Sequence, residues 1–158
     1  MPIKKPTIHI GADHRGYCLK FELKKYLQKK GYNIIDHGNN HYEAKDNYPI
    51  FGQKVCLAVK KNRQNNVGVL ICGSGAGMNI VANKIKCLRA AVCWNKEIAK
   101  EVKNDDNPHI LVIPADFVTK KEAKLILNKF LTTPFSGKIK NSRRLKQIEK
   151  IEKCLKKA

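Results

Sequence analysis

The 158-residue sequence predicts an α/β fold, a Rossmann-like open sheet of five parallel strands flanked by helices. Short apolar runs alternate with segments whose apolar residues repeat at helical spacing, which is typical of successive βα units. The strongest run, Val67 to Cys72, is almost wholly apolar, as expected for a central strand covered on both faces. Right-handed crossovers would join these units into one open sheet.

Three strands and two helices are expected in the first half, the strands at 7–13, 32–36 and 67–72. Gly31 stops the first helix, and Pro49 suits the first turn of the second. The inward faces of the two helices carry these residues: Leu19, Leu23, Tyr26 and Leu27 in the first, and Phe51, Val55, Ala58 and Val59 in the second.

The second half predicts strands at 88–93 and 109–113, with Pro114 marking the end of the fifth strand. A short helix is expected at 98–102. Two further helices carry apolar faces, made of Met78, Val81, Ala82 and Ile85, and of Ala123, Ile126, Leu127, Phe130 and Leu131.

After residue 135 the sequence becomes strongly basic, with many lysines and arginines and few acidic residues. We expect an α/β domain at 1–135 and a basic terminal helix at 136–158, the two forming one functional unit. The helix carries a narrow apolar stripe of Leu145, Ile148, Ile151 and Leu155, which must be buried against something. Packing on the parent domain and packing across a dimer both satisfy this requirement.

The composition excludes several classes of protein. Hydrophobic residues make up 42% and charged residues 28% of the chain, as in an ordinary globular domain. We see no apolar run of membrane-spanning length and no secretion signal, so a cytoplasmic protein is expected. The six cysteines show no CxxC pairing, which favours reduced thiols over disulfides or a zinc site. We expect most of them to be buried.

The net charge of +19 raises the possibility of a nucleic-acid-binding module. Most of the 32 basic residues are lysines on the polar faces of predicted helices, however, and no zinc-finger spacing or RNA-recognition signature accompanies them. Lysines on solvated helix faces explain the net charge better than a nucleic-acid-binding surface does. A basic surface also attracts phosphorylated metabolites.

Two loops follow strands at the edge where open parallel sheets bind their ligands. The first contains Asp13, His14 and Arg15 after the first strand. Asp13 either caps the free amides of the following helix or, with its neighbours, binds a polar ligand. The residues alone leave these two interpretations open.

The second loop, 71–77, reads Ile-Cys-Gly-Ser-Gly-Ala-Gly and runs from the strongest strand into a helix. Its glycines let backbone amides converge at a helix N-terminus, which favours an anion. The same amides predict a lowered pKa for Cys72. A reactive thiol serves nucleophilic acyl transfer or proton transfer beside a carbonyl, and the cationic residues nearby favour the second.

These motifs resemble the type B ribose-5-phosphate isomerases, a family that includes the galactose-6-phosphate isomerase subunits. The similarity rests on Gly11-Ala-Asp-His-Arg-Gly16, Asn47-Tyr-Pro49, the loop 71–77 and Ala82-Asn-Lys84, and it runs from about residue 8 to the final helix.

The resemblance implies that Cys72 is the base that moves a proton between C1 and C2 of the open-chain sugar. Ser74 would assist at the sugar oxygens, Asp13 would bind hydroxyls and His14 the phosphate. Where some members have a glutamate base, this chain has Met78. Further substrate contacts are expected from Tyr48, Gly73, Gly75, Gly77 and Asn79, and, often across a dimer interface, from Lys140, Arg143 and Arg144.

Several positions depart from the family pattern. Asp105 stands where the family has its ring-opening histidine, and His109 follows four residues later, where a structural role is favoured. Asn47 replaces an aspartate, although Asp46 is adjacent, and Asp116 replaces a phosphate-binding arginine.

The leading hypothesis is ribose-5-phosphate isomerase activity without a metal or organic cofactor, in a homodimer or tetramer with shared sites. A hexose-6-phosphate isomerase and a sugar-phosphate-binding protein that has lost catalysis are the alternatives.

Overall fold

The computed structural model describes residues 5–154, which fold into five strands and six helices. The strands are β1 Thr7–Ala12, β2 Ile34–Asp36, β3 Asn66–Cys72, β4 Ala90–Val92 and β5 Ile110–Pro114. The helices are α1 Tyr17–Lys29, α2 Tyr48–Lys61, α3 Ala76–Lys84, α4 Lys96–Asp105, α5 Lys120–Thr132 and α6 Ile139–Cys154. The predicted α/β fold is confirmed.

All strands pair in parallel in the order β2-β1-β3-β5-β4. The central strand β3 pairs with β5 from Gly68 opposite Ile110 to Cys72 opposite Pro114. Every strand therefore ends at one edge of the sheet, here called the carboxyl edge, and starts at the other, the amino edge. The edge strands β2 and β4 are shorter than predicted because each pairs on one side alone.

Helices cover both faces of the sheet. One core joins the sheet to α1, α4 and α5, and includes Leu23, Ala99 and Phe130. The other joins it to α2 and α3 and includes Val55 and Met78. Cys72 belongs to this second core, at the carboxyl end of its strand. The prediction that most of the other cysteines are buried is wrong, since Cys56 and Cys93 are buried whereas Cys18, Cys87 and Cys154 are exposed.

A buried lysine joins α1 to the end of β2. Lys20 is fully buried, and its Nζ donates to Asp36 Oδ1 at 2.8 Å and to the Asn39 carbonyl at 2.5 Å. Burial lowers the pKa of Lys20, and Asp36 opposes that effect. Lys24 also donates to Asp36, at 2.6 Å. Lys20 therefore departs from the prediction that the lysines lie on solvated faces.

Helix α6 runs along the amino edge. Near its start Asn141 Nδ2 donates to Asp105 Oδ1 at 2.9 Å, and near its end Glu152 accepts from the Cys87 backbone N–H at 2.7 Å. Of its predicted apolar stripe, Leu145 is half-buried, whereas residues 5–154 leave Ile148 47% and Ile151 63% exposed. Leu155 lies outside the described residues. Among residues 5–154, no helix has the length and hydrophobicity needed to cross a membrane.

Candidate active site

The loops that follow β1, β3 and β5 meet at the carboxyl edge because these three strands are neighbours in the sheet. They place Asp13, Cys72 and Asp116 in one region. The backbone joins them directly, since the Asp13 N–H donates to the Ile71 carbonyl at 3.4 Å and the Asp116 N–H donates to the Gly73 carbonyl at 3.1 Å. The grouping of the first two predicted loops is therefore confirmed.

Asp13 is buried and caps its own loop. Its Oδ1 accepts from the backbone N–H groups of Arg15 and Gly16, both at 3.1 Å. Burial raises the pKa of Asp13, and the hydrogen bond from Gly16 opposes that effect. A side chain at Gly16 would place its Cβ 2.6 Å from the Ile71 carbonyl oxygen, so glycine is required for this close approach to β3. Both amides belong to the turn before α1, which begins at Tyr17, so Asp13 holds this turn and does not cap the amides of the helix itself as the first interpretation expected.

Asp46 positions His14. Its Oδ1 lies 2.7 Å from His14 Nδ1 and accepts from the His14 backbone N–H at 3.1 Å. The Asp46 side chain is 4% exposed, whereas that of His14 is 29% exposed. The sequence reasoning noted Asp46 as the neighbour of Asn47 without giving it a role. The available signal was the carboxylate itself, one residue before the position at which the family has an aspartate.

Arg15 forms an ion pair with Asp116 across the loop that follows β3. A Cβ added at Gly73 would lie 2.5 Å from Arg15 Cζ and 2.7 Å from Asp116 Oδ2. The pair therefore lies directly against Gly73 and joins the loop after β1 to the loop after β5. Arg15 is thus engaged with a carboxylate, as His14 is with Asp46.

Cys72 is the last residue of β3 and is 5% exposed. Burial raises the pKa of its thiol, against the hydrogen bonds offered by the backbone N–H groups of Met78 and Gly75. The predicted lowering of the pKa is therefore wrong in direction. The amides do face the sulfur as expected, but the loss of hydration in the apolar core between α2 and α3 outweighs them.

The glycine loop has the geometry that its sequence predicts. Gly75 precedes α3 with φ of 80°, a left-handed conformation that favours glycine. At Gly77, a Cβ would lie 2.7 Å from Tyr48 Cζ, so the phenol ring packs on the first turn of α3. Ser74 is exposed, and its Oγ accepts from the Ala76 N–H at 3.3 Å. Asn79 lies in α3, where its Oδ1 accepts from Asn83.

A second group of predicted residues lies at the opposite edge of the sheet. Asp105 ends α4 just before β5 begins, and Arg143 and Arg144 are exposed near the start of α6, as is Lys140. The four residue steps of β3 from Gly68 to Cys72 alone span about 13 Å. Within one chain, the structure therefore does not bring this group to Cys72.

His109 also lies at the amino edge, immediately before β5. Its Nδ1 accepts from the Arg89 backbone N–H at 3.1 Å. Burial, together with the positive charges of Arg89, Arg63 and Lys103, lowers the pKa of His109 to about 3. These contacts give His109 a structural role as a neutral hydrogen-bond acceptor, the interpretation that the sequence favoured.

The carboxyl edge thus combines a thiol, converging backbone N–H donors and a carboxylate-held imidazole in one chain. A thiolate can remove a proton from carbon, and backbone N–H groups can stabilise the oxyanion that forms beside it. The imidazole can donate to an anionic group of the ligand. Proton transfer next to a carbonyl is the chemistry that this arrangement suits.

Several known proteins are similar to this chain in sequence and in fold. The profile described as Ribose/Galactose Isomerase matches residues 8–148. Ribose-5-phosphate isomerase B of Mycobacterium tuberculosis is 32% identical over 149 residues, covering 92% of this chain and 90% of that protein.

Two solved structures are also similar. Ribose-5-phosphate isomerase B from Mycoplasma genitalium, with bound ribulose-5-phosphate, is 37% identical with a TM-score of 0.90 and covers 93% of this chain and 96% of that one. The enzyme from Clostridium thermocellum is 39% identical with a TM-score of 0.89, and covers 94% and 99%.

Proposed function

The chain belongs to the ribose/galactose isomerase family, and we propose that it interconverts ribose 5-phosphate and ribulose 5-phosphate as an aldose–ketose isomerase. One observation carries the proposal. The full-length similarity to ribose-5-phosphate isomerases coincides with a thiol, Cys72, that ends the central strand and faces the amides of the glycine loop.

Cys72 is the base in this proposal. Its thiolate removes the proton from C2 of the open-chain aldose, and the electron pair of the C–H bond forms the C1–C2 double bond of a cis-enediolate. The carbonyl oxygen O1 takes up the resulting negative charge. Proton return to C1, with loss of the O2 proton, gives the ketose and restores the thiolate. In this proposal the backbone N–H groups beside the sulfur stabilise this charge.

The neighbouring groups take supporting roles. Ser74, exposed at the loop, moves a proton between O1 and O2, and the amides from Gly73 to Gly77 hold the enediolate. Asp13 binds sugar hydroxyls, and His14, oriented by Asp46, contacts the phosphate. Tyr48 and Asn79 flank the start of α3 and contact the substrate.

A second copy of the chain completes the site. The exposed cations Lys140, Arg143 and Arg144 and the uncovered apolar stripe lie on α6, away from the Cys72 of their own chain. In a homodimer the stripe is buried and the arginines reach the phosphate in the partner's site. Asp105, which Asn104 and Asn141 hold by hydrogen bonds of 2.7 and 2.9 Å, then acts at the ring oxygen in place of an imidazole.

The test is solvent exchange at carbon. Purified protein is incubated in heavy water with ribose 5-phosphate or, separately, with galactose 6-phosphate or allose 6-phosphate, and deuterium incorporation is followed by NMR. We expect incorporation and ketose formation with the pentose phosphate well above either hexose phosphate. Faster reaction of a hexose phosphate would overturn the substrate assignment. Binding of ribose 5-phosphate with neither exchange nor ketose formation would overturn the activity itself.

A further inference from the structure

The Arg15–Asp116 ion pair has no part in the mechanism above, yet it crosses the loop that carries Cys72. Arg15 follows β1 and Asp116 follows β5, the two strands that flank β3. Of the residues in the loop after β3, Gly73 lies directly against both side chains. Two opposite charges are therefore held one residue away from the proposed base.

The surrounding contacts restrict where these charges can be. The backbone N–H of Arg15 is held by Asp13 Oδ1, and the backbone N–H of Asp116 is held by the Gly73 carbonyl. The side chains are 56% and 33% exposed, respectively. A residue larger than glycine at position 73 would displace the pair, so the loop sequence itself provides the space for it.

We propose that Arg15 and Asp116 control the ionisation of Cys72, the guanidinium favouring the thiolate and the carboxylate restraining it. The two are positioning residues in this proposal, because they act through the sulfur and not on the sugar. The inference rests on the proposed function, in which Cys72 is the base. A buried thiol acts as a base only when its thiolate is populated, so a group that shifts its ionisation also changes the rate.

The other groups around Cys72 are consistent with this role. From α3, the amides of Gly75 and Met78 favour the thiolate, and from the loop after β1 Asp13 opposes it while Arg15 supports it. Two further charged pairings lie at this edge, His14 with Asp46 and, at the end of β2, Asp36 with Lys20 and Lys24. Tyr48 of α2 packs on Gly77. Among the groups that shift the pKa of Cys72, Arg15 is the cationic side chain, and its charge lowers that pKa.

The test compares three single variants, each made with and without Cys72→Ala. The difference in ultraviolet thiolate absorbance between the two members of each set reports the titration of Cys72 alone. Arg15→Gln removes the cation, and Asp116→Asn removes the anion but keeps an acceptor for Arg15. Arg15→Lys, which keeps the charge, is the matched control.

We expect Arg15→Gln to raise the apparent pKa of Cys72 by about half to one pH unit and Asp116→Asn to lower it by a similar amount. Arg15→Lys should titrate close to the unaltered chain. Shifts in the same direction for both neutral variants, as loosening of a structural clamp would produce, would overturn the proposal, and so would no shift in either.

Kinetics give a second readout. In Arg15→Gln, kcat/KM for ribose 5-phosphate should fall about three- to ten-fold at neutral pH and recover as the pH rises past the shifted titration. A loss that is constant with pH would contradict the proposal. The absorbance titration needs no turnover, so a chain without isomerase activity would refute the proposed function while the effect of the pair on Cys72 could still be measured.

Discussion

The carboxyl edge of the sheet and helix α6 differ in how their polar groups are partnered. At the carboxyl edge, Asp13 accepts from its own loop, His14 is held by Asp46 and Arg15 is paired with Asp116. On α6, Arg143 and Arg144 are exposed, and the apolar residues Ile148 and Ile151 face outward.

This difference separates the groups that are already positioned within one chain from those that have no partner within the described part of it. The carboxyl edge holds its groups in place before any ligand arrives, which reduces the reorganisation that proton transfer requires. Helix α6 combines exposed cations with Ile148 and Ile151, which the described part of the chain leaves exposed. In the homodimer proposed above, a second copy would cover these two residues and take the cations to its own site.

The largest effect is expected at Cys72. Replacing Cys72 with alanine removes the proposed base and should reduce isomerisation and C2–H exchange by about 10³-fold or more. The fold should survive because the side chain lies at the end of its core and loses only a sulfur atom. Deuterium exchange and circular dichroism measure the two effects.

Cys18→Ala, at an exposed cysteine of α1, is the matched control and should keep full activity. Exchange at an unaltered rate in Cys72→Ala would remove the thiol from the mechanism and with it the role given to the carboxyl edge.

A smaller loss is expected on α6. The double change Arg143→Ala and Arg144→Ala should raise KM for ribose 5-phosphate by about 30-fold with a lesser effect on kcat, because charged hydrogen bonds to the phosphate are lost. Lys146→Ala with Lys150→Ala removes the same charge from exposed positions of the helix and serves as control. Equal losses in both double variants would indicate a general charge effect instead of a phosphate contact.

Asp46 gives a more moderate test of the carboxyl edge. In Asp46→Asn the His14 ring loses its charged partner, and we expect kcat/KM to fall about ten-fold, mainly through KM, because the imidazole is less well oriented. Steady-state kinetics measure this, with Glu43→Gln on the same exposed segment as control. If Asp46→Asn left KM unchanged, His14 would not need the carboxylate to bind the phosphate.

The smallest effect concerns stability at the amino edge. The pKa of His109 is lowered from its ordinary 6.5 to about 3 in the folded chain. Between these values the unfolded state binds the extra proton, so the free energy of unfolding decreases as the pH falls from about 6.5 to 3. The melting temperature should therefore drop by about 3 to 5 °C per pH unit from this histidine over the middle of that range.

His109→Asn keeps an acceptor for the Arg89 N–H and should flatten this dependence, whereas His41→Asn, at an exposed histidine, should not. Thermal melts across this pH range compare them. An unchanged acid sensitivity in His109→Asn would show that His109 is not a buried neutral acceptor.

Sequence periodicity was sufficient to predict the order of the elements and the loop that presents Cys72. Parallel strands buried on both faces leave a strong apolar signal, and glycine reports close backbone approach at residues 73–77. The edge strands β2 and β4 were predicted too long. Each is hydrogen-bonded to one neighbouring strand alone, so the residues at its ends belong to the adjoining turns.

Two features of the site depended on tertiary contacts that no local pattern encodes. The pKa of Cys72 follows from the core between α2 and α3, and burial there exceeds the effect of the helix amides. The pairing of Arg15 with Asp116 joins residues 101 positions apart. Sequence spacing detects neither burial depth nor a partner at such a separation.

The most direct measurement of the account is complementation between two impaired chains, one without the proposed base and one with weakened phosphate binding. Cys72→Ala and the Arg143→Ala, Arg144→Ala double variant are co-expressed with different affinity tags, and the heterodimer is purified. If α6 of one chain serves the Cys72 site of the other, one of the two sites is intact. At a ribose 5-phosphate concentration well below KM, where both parents are impaired, activity should return to about half that of the unaltered dimer. A purified heterodimer no more active than its parents would contradict the account.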